Sequence, residues 1–222
     1  MIRLEHLTKT FILNGHHKVV ARDICVDFPT DATIGLLGRN GAGKSTLMNM
    51  IAGNIDPSSG RILTDGTISY PVGFAGSFHG DLTGAQNARF VARLYGVDTD
   101  ELVAFVEDFA ELGKHFHLPF RSYSSGMRSR LSFGVSMGIP FDYYLVDEVT
   151  SVGDAAFRDK SRDVFMDRMQ KSGALFVSHQ LPMVRELCDI GAVLEDGNLT
   201  LYEDVDEAIE KHKENMRSVE EN

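Results

Sequence analysis

Short stretches of alternating or continuous hydrophobic residues predict strands in the first and last thirds of the chain. Residues 2–7 alternate apolar and polar side chains, and residues 24–28 do so again before Pro29, which is typical of half-buried strands. Three other runs are apolar throughout, which indicates strands buried on both faces: 33–37, 143–146 and 174–177.

A helical period replaces the strand pattern in the middle of the chain, from Thr83 to about Ile139. The apolar residues of 90–95 share one helical face, and residues 102–112 form a wide apolar stripe, so we interpret their aromatic side chains as core packing. Strands and helices alternate again from residue 143, and residues 205–222 predict a charged helix. The pattern therefore predicts a mostly parallel sheet with a helical insertion.

Composition and charge argue against some classes of function. The chain has 222 residues and a net charge of −10, which argues against non-specific binding to nucleic acid. No apolar run approaches the roughly 18 residues that span a bilayer, and there is no secretion signal. We therefore expect a cytoplasmic chain unless a partner holds it at a membrane. The two cysteines, Cys25 and Cys188, have no metal or redox spacing, and we expect reduced, buried thiols.

Residues 38–45, GRNGAGKS, match the phosphate-loop pattern GxxxxGK[ST] and follow a predicted buried strand. Glycines allow successive backbone N–H groups to turn toward a phosphate, and a helix N-terminus adds positive charge. We expect Lys44 to contact the β and γ phosphates and Ser45 to bind Mg²⁺. The predicted nucleotide-binding residues here are Gly38, Asn40, Gly41, Ala42, Gly43, Lys44, Ser45 and Thr46.

Chemically active side chains also follow the later buried strands. Asp147 and Glu148 end one strand, where Asp147 would hold Mg²⁺ and Glu148 would act as general base for an attacking water. His179 follows the next strand and is expected to contact the γ-phosphate. Phe11 either stacks on adenine or packs against the first strand, and the sequence leaves both roles open.

The order of these motifs resembles that of ABC transporter nucleotide-binding subunits over nearly the whole chain. Residues 123–127, YSSGM, stand where that family has a signature, usually LSGGQ, at the start of a helix. The resemblance implies that Ser124, Ser125 and Gly126 contact the γ-phosphate held by the opposite protomer. Residues 147–154, DEVTSVGD, match the family's DEPTSALD and imply that Asp154 lies at the protomer interface.

The resemblance also implies a fold and an assembly. The fold is α/β, of the P-loop NTPase type. Residues 1–222 would form one ABC nucleotide-binding domain with a mostly parallel core sheet, an N-terminal antiparallel β subdomain and an α-helical subdomain at about 83–139. Two copies would form a head-to-tail homodimer around two ATP molecules, each with Mg²⁺.

One position departs from the family pattern. The family carries a glutamine that senses Mg²⁺ and the attacking water in the loop before the helical subdomain. Alignment on the following LTG places His79 there, while Gln86 is expected in the first helix. His79 is thus a candidate catalytic residue and metal ligand, although an imidazole is a poorer ligand for a hard cation than an amide oxygen.

Three longer stretches resemble the KpsT-like ATPase subunits of capsular polysaccharide exporters: 71–96, 123–137 and 142–157. This resemblance implies an ATP hydrolase that energises export of a lipid-linked, acidic polysaccharide. It would work with a separate permease on the cytoplasmic face of the bacterial inner membrane, and indirectly with partners that span the periplasm and outer membrane. The permease would dock on residues 77–82 and the helices that follow.

Three alternatives remain open at the level of sequence. The chain could serve an exporter of O-antigen or teichoic acid, because the permease largely selects the cargo. It could be a soluble ABC ATPase that acts on ribosomes or DNA, although that class usually has two fused cassettes or a long coiled-coil insertion. It could be a non-catalytic nucleotide-binding regulator, which the Asp147–Glu148 pair and His179 argue against.

Overall fold

The computed structural model describes residues 1–13, 15–73, 76, 78–147 and 155–220. The strands in these ranges are β1 (Ile2–Leu13), β2 (His16–Phe28), β3 (Thr33–Leu37), β4 (Ser59–Thr64), β5 (Ile68–Pro71), β6 (Tyr143–Asp147), β7 (Gly173–Val177), β8 (Ile190–Glu195) and β9 (Asn198–Tyr202). The α-helices are α1 (Lys44–Ile51), α2 (Gly84–Tyr95), α3 (Thr99–Ala110), α4 (Ser125–Gly138), α5 (Ala155–Met169), α6 (Leu181–Leu187) and α7 (Val205–Glu220). Within the described part of the chain, every helix is too short or too polar to cross a membrane.

The chain divides into two compact units. The first unit comprises residues 1–69, 141–148 and 171–222, and the second comprises residues 70–140 and 149–170. The first contains α1, α6, α7 and nearly all of the strands, whereas the second contains α2 to α5. The assignment of residues 1–222 to one domain with a helical subdomain at about 83–139 stays a prediction.

Two sheets organise the strands. A three-stranded antiparallel sheet has the order β2-β1-β4, and a six-stranded sheet has the order β5-β6-β7-β3-β8-β9. In the larger sheet, β7 pairs in parallel with β6 and β3, β3 pairs in parallel with β8, and β8 and β9 form an antiparallel hairpin. The predicted mostly parallel sheet and N-terminal antiparallel sheet are therefore confirmed.

The central strands are apolar because both faces of the larger sheet are covered. Every residue of β3 and of β7 is buried, as are the first four residues of β6. Their side chains share one hydrophobic core with α1 and with the antiparallel sheet. Full burial of a leucine or isoleucine contributes about 1.5–3 kcal/mol to folding, so this core accounts for the unbroken hydrophobic runs.

Helix α2 does not bury all of its large apolar side chains. Phe90 and Leu94 are 51% and 63% exposed, while Val91 and the alanines of α2 are buried. The interpretation of Phe90 as core packing is wrong, because small residues rather than aromatic ones form the buried face of this helix. In α3 the apolar stripe is buried as expected, with Leu102, Val106 and Phe109 in the core.

The two cysteines lie in different environments. Cys188 is buried, and burial, followed by the charge of Asp189, raises the pKa of its thiol to about 12. Cys25 is exposed, so the expectation of two buried thiols is wrong for this residue. The cause is the alternation of β2, in which Ile24 faces the core and Cys25 faces solvent.

The loop before α2 is held by the fully buried side chain of Asn87. Its Nδ2 donates hydrogen bonds to the carbonyl oxygens of His79, Leu82 and Thr83 at 3.1, 3.3 and 3.0 Å. Its Oδ1 accepts a hydrogen bond from the His79 N–H at 2.8 Å. Gln86 lies in α2, as predicted, where it forms a capping box with Thr83.

We predict that Asn87→Leu lowers the free energy of unfolding by roughly 2–4 kcal/mol, because it leaves several buried backbone groups without partners. Urea denaturation measures this loss. Gln86→Ala is the matched control, since it removes only one partner of the exposed capping box and should cost about 1 kcal/mol or less. Equal losses in the two variants would contradict the role given to Asn87.

Candidate functional site

Three parallel strands bring candidate residues to one edge of the larger sheet. Asp147, the last residue of β6, lies beside Val177, the last residue of β7, and β3 runs in parallel on the other side of β7. The chain continues from β3 into Gly38 and from β7 into His179. The topology thus delivers a glycine-rich loop, a carboxylate and an imidazole to the same edge, as the sequence predicted.

The phosphate loop, residues 38–45, is tightly enclosed by its own unit. Gly43 has a φ of 111°, and an added Cβ would lie 2.9 Å from Val20 Cβ. Gly38 has a φ of 155°, and an added Cβ would lie 2.5 Å from the Leu194 carbonyl oxygen. Only glycine satisfies both conditions, and Gly43 directly precedes α1, so the positive end of that helix opens into the loop.

The ammonium group of Lys44 turns back onto this loop. Its Nζ donates hydrogen bonds to the carbonyl oxygens of Gly38 and Arg39 at 2.6 and 3.1 Å. The residue is only 9% exposed. A buried cation held by the main chain of a glycine-rich loop is suited to bind the phosphates of a nucleotide.

A cavity of about 470 Å³ lies against the phosphate loop. We call it the nucleotide cavity. Its lining includes most of the residues predicted to bind nucleotide or metal within this unit: Phe11, Asn40, Gly41, Gly43, Lys44, Ser45, Thr46, Asp147 and His179. Gly38 and Ala42 belong to the loop but do not line this cavity. The Ser45 hydroxyl and the Asp147 carboxylate are oxygen donors of the kind that Mg²⁺ prefers.

The antiparallel sheet supplies one further wall of the nucleotide cavity. Phe11 is half-buried there, with Lys9 Nζ 5.1 Å from its ring centroid. Lys18 lies opposite Phe11 in the ladder between β1 and β2 and lines the same cavity. Its Nζ is 3.7 Å from the position of a Cβ built on Gly41. Sequence reasoning missed Lys18 because a single lysine in a strand belongs to no motif, and its position opposite Phe11 follows only from the pairing of β1 with β2.

Helix α7 lines a second cavity, of about 390 Å³, that shares Lys44 and His179 with the first. His212, Lys213 and Arg217 contribute the α7 side of its lining. Burial, followed by the charges of Lys44 and His179, lowers the pKa of His212, whose Nδ1 has no hydrogen-bond partner in the structure as described. The charged tail of the chain is therefore part of the surroundings of the phosphate loop, which sequence reasoning did not indicate.

In the second unit, the signature residues open α4. Ser124 is the N-cap, and its Oγ accepts a hydrogen bond from the Met127 N–H at 3.3 Å. Ser125 and Gly126 are exposed, and a Cβ built on Gly126 would meet no described atom within 4 Å. Among the described residues, no contact therefore requires a glycine at position 126.

The segment just before the signature is firmly held. Tyr123 is buried, and its hydroxyl donates a hydrogen bond to the His115 carbonyl at 2.7 Å. Arg128 donates to the carbonyl oxygens of Tyr123 and Arg121, each at 3.1 Å. These contacts fix the start of α4 and leave its first residues open at the surface.

The last candidates are His79, Glu148 and Asp154. His79 accepts a hydrogen bond at Nδ1 from the Asp81 N–H, at 3.2 Å. In the neutral imidazole this places the proton on Nε2, which suits donation of a hydrogen bond better than ligation of a cation. Its role as a catalytic residue or metal ligand stays a prediction. Glu148 and Asp154 lie outside the described residues.

Sequence comparisons show which known proteins the chain is similar to. The ABC transporter family model matches residues 21–151. The chain is 48% identical to the polysialic acid transport ATP-binding protein KpsT of Escherichia coli, covering 96% of each chain. It is 42% identical to the capsule polysaccharide export ATP-binding protein CtrD of Neisseria meningitidis serogroup B, covering 95% of this chain and 97% of CtrD.

A solved structure shares the fold. It is a dimeric ATP-binding cassette in a post-hydrolysis state bound to ADP and Pi, with a TM-score of 0.76 at 16% identity. The alignment covers 91% of this chain and 98% of that one. With a family match over more than half of its length and close relatives along nearly all of it, the chain belongs to the ABC transporter family, in the group of ATP-binding subunits that includes KpsT and CtrD.

Proposed function

We propose that the chain is the ATP-hydrolysing subunit of a capsular polysaccharide exporter. The observation that carries this proposal is the nucleotide cavity, where Lys44, Ser45, Asp147 and His179 line one space at the ends of three parallel strands. KpsT is a polysialic acid transport ATP-binding protein and CtrD is a capsule polysaccharide export ATP-binding protein, which supports the cargo class. A cavity with two ammonium groups and two oxygen donors suits a polyphosphate bound together with Mg²⁺.

Each residue has a defined task in this proposal. Lys44 exchanges its loop carbonyls for the β and γ phosphates, while Ser45 and Asp147 hold Mg²⁺, which neutralises charge that develops on the phosphates. Glu148 takes a proton from the attacking water, and His179 donates a hydrogen bond to the γ-phosphate. Phe11 stacks on the adenine ring from the edge of the antiparallel sheet.

A second copy completes each site. The start of α4 has a serine cap, exposed backbone N–H groups and space at Gly126, which together suit an anion that comes from outside this chain. In a head-to-tail homodimer, Ser124, Ser125, Gly126 and Asp154 of one copy would face the γ-phosphate bound by the other. ATP would then join the two copies, and hydrolysis would separate them.

The membrane partner is a separate permease. Phe90, Leu94 and Tyr95 form an exposed apolar group on α2, close in sequence to residues 78–82, and such groups commonly mark interaction surfaces. A permease helix docked there would hold the subunit at the cytoplasmic face of the inner membrane. Partners in the periplasm and outer membrane would act only indirectly, and the proposal involves no nucleic acid.

The class of cargo is tested with a deletion strain. A genetic test is needed because the permease largely selects the cargo, so the subunit's own sequence does not identify it. A deletion strain should lose its capsular polysaccharide from the cell surface, as measured by sugar analysis, and a plasmid copy should restore it. Loss of O-antigen or teichoic acid instead would assign the subunit to the other class of exporter.

We predict that Glu148→Gln binds ATP without hydrolysing it and remains dimeric. Its mass by light scattering after size exclusion should double from 24.6 kDa when ATP and Mg²⁺ are added. Adding Lys44→Ala to this variant should abolish the shift, because nucleotide binding is lost. Hydrolysis at the wild-type rate would exclude Glu148 as the base, and the absence of a mass shift would contradict the head-to-tail dimer.

We predict that Gly126→Ala keeps or slightly raises stability but lowers ATPase activity about tenfold or more, which corresponds to ~1.4 kcal/mol in the barrier. The methyl group meets no described atom of its own chain and favours the helix by about 0.5–1 kcal/mol, but it occupies the space proposed for the γ-phosphate. Urea denaturation and steady-state hydrolysis measure the two effects.

Gly138→Ala is the contrasting control for this prediction. An added Cβ at Gly138 would lie 2.3 Å from Leu102 Cδ1, so this variant should lose stability. If Gly126→Ala hydrolyses ATP normally at saturating protein and nucleotide, the signature does not approach the phosphate.

We predict that Lys18→Gln weakens ATP binding about three- to tenfold, with the larger effect at low ionic strength, because it removes an exposed cation near the phosphates. Titration with a fluorescent nucleotide at two salt concentrations measures this change. Arg61→Gln is the control, since Arg61 lies on β4 and pairs with Glu5 away from the nucleotide cavity. Equal affinities of the two variants for the nucleotide would show that Lys18 does not contribute to nucleotide binding.

A further inference from the structure

Three side chains of different chemistry converge on the solvent face of β1 and β2. His6 Nδ1 lies 2.9 Å from Asp23 Oδ1 and 3.6 Å from Cys25 Sγ. The three potential ligand atoms all lie within 4.8 Å of one another. An imidazole nitrogen, a carboxylate oxygen and a thiol sulfur therefore surround one small volume at the surface.

The backbone aims these side chains at each other. His6 and Asp23 both have a φ of 50°, in the left-handed region that few residues other than glycine adopt. They lie where the register between β1 and β2 shifts, and such irregularities re-aim side chains. The His6 N–H donates a hydrogen bond to Cys25 Sγ at 3.3 Å, which ties two members of the cluster together through the main chain.

Neighbouring groups hold this irregularity in place. The Asp23 N–H donates a hydrogen bond to Thr8 Oγ1 at 3.0 Å. On the other side, β4 approaches so closely that a Cβ on Gly60 would lie 2.2 Å from the His6 carbonyl oxygen. The cluster is therefore built into the middle of the antiparallel sheet, between three paired strands, and not into a free loop.

Two simpler interpretations account for only part of this geometry. An exposed ion pair explains the contact between His6 and Asp23 but not the position of Cys25. A nucleophilic Cys–His–Asp arrangement uses both ring nitrogens, one toward the thiol and one toward the carboxylate. Here the same nitrogen, Nδ1, lies close to both partners, so three potential ligand atoms cluster within 4.8 Å of one another, as the ligands of a metal ion do.

The two separations measured from His6 Nδ1 are close to those of a tetrahedral zinc-type site. Zinc bonds of about 2.0–2.1 Å to nitrogen and oxygen and about 2.3 Å to sulfur place N and S about 3.5 Å apart and N and O about 3.3 Å apart. The observed N to S distance of 3.6 Å already matches. The N to O distance of 2.9 Å is that of the hydrogen bond that a cation would replace. Opening it by about 0.4 Å requires only a small rotation of exposed side chains.

We propose that His6, Asp23 and Cys25 bind a divalent cation of the zinc class, with water as the fourth ligand. The thiolate and imidazole select this class over Mg²⁺ and Ca²⁺, which prefer oxygen ligands alone. Binding would clamp β1 to β2 and stabilise the folded chain. The proposal does not depend on ATP hydrolysis or on the cargo.

The test uses reduced, chelator-treated full-length protein in a buffer with excess Mg²⁺, which occupies oxygen-only sites. Titration with Co²⁺ should produce a near-ultraviolet thiolate-to-cobalt absorption band that saturates at one ion per chain, and Zn²⁺ should displace it. Cys25→Ser should lose the band. His6→Asn and Asp23→Asn should weaken binding about tenfold or more, and asparagine tolerates the left-handed backbone at both positions.

Controls separate this site from adventitious binding. His16→Asn and His17→Asn change exposed histidines of the same strand and should keep the band, as should Cys188→Ser if it folds. Zn²⁺ should raise the Tm of the wild type but not that of Cys25→Ser, with circular dichroism confirming that each variant is folded. The absence of a band in the wild type, a band that survives Cys25→Ser, or equal affinity in the asparagine variants would overturn the proposal.

Discussion

The parallel pairing of β7 with β6 and β3 is the constraint on which the rest of the nucleotide site depends. Because parallel strands end at the same edge, residues far apart in sequence reach one cavity. A shift of register by one residue would turn Asp147 to the other face of the sheet. In the observed register, β6 pairs with β7 from Tyr143 opposite Gly173 to Asp147 opposite Val177, which sets the position of Asp147. The pairing of these buried strands therefore both builds the core of this unit and sets the position of its candidate catalytic groups.

Three residues of the second unit are explained by the proposed assembly and not by contacts among the described residues. No described atom requires a glycine at position 126, and Phe90 and Leu94 are large apolar side chains that stay exposed among the described residues. By contrast, Gly38 and Gly43 are required by close contacts within the first unit. Comparing these positions separates residues that serve the isolated fold from residues that serve partners. The first group supports nucleotide binding by one chain, and the second group supports the proposed homodimer and permease contacts.

The sequence predicted the parts of the site that depend on local motifs. The phosphate loop, Asp147 and His179 each lie at or just after the end of a buried strand. The ends of parallel strands lie together at one edge of the sheet, so these residues reach the same cavity. Lys18 and the cluster of His6, Asp23 and Cys25 could not be found in this way, because they depend on register across antiparallel strands and on two left-handed residues. The orientation of α2 was also misjudged, since helical spacing identifies a face but not what covers it.

The hydrogen bonds of Lys44 to its own loop have a consequence for the turnover cycle. Any ATPase passes through a nucleotide-free stage, and an uncompensated buried ammonium at that stage would be costly. Here the carbonyl oxygens of Gly38 and Arg39 act as an internal substitute for phosphate oxygens. If Lys44 binds the phosphates as proposed, nucleotide entry exchanges one set of oxygens for another, and product leaves without exposing an unsatisfied charge. The loop thus lowers the free-energy difference between its empty and filled states, which favours repeated cycling over tight retention of nucleotide.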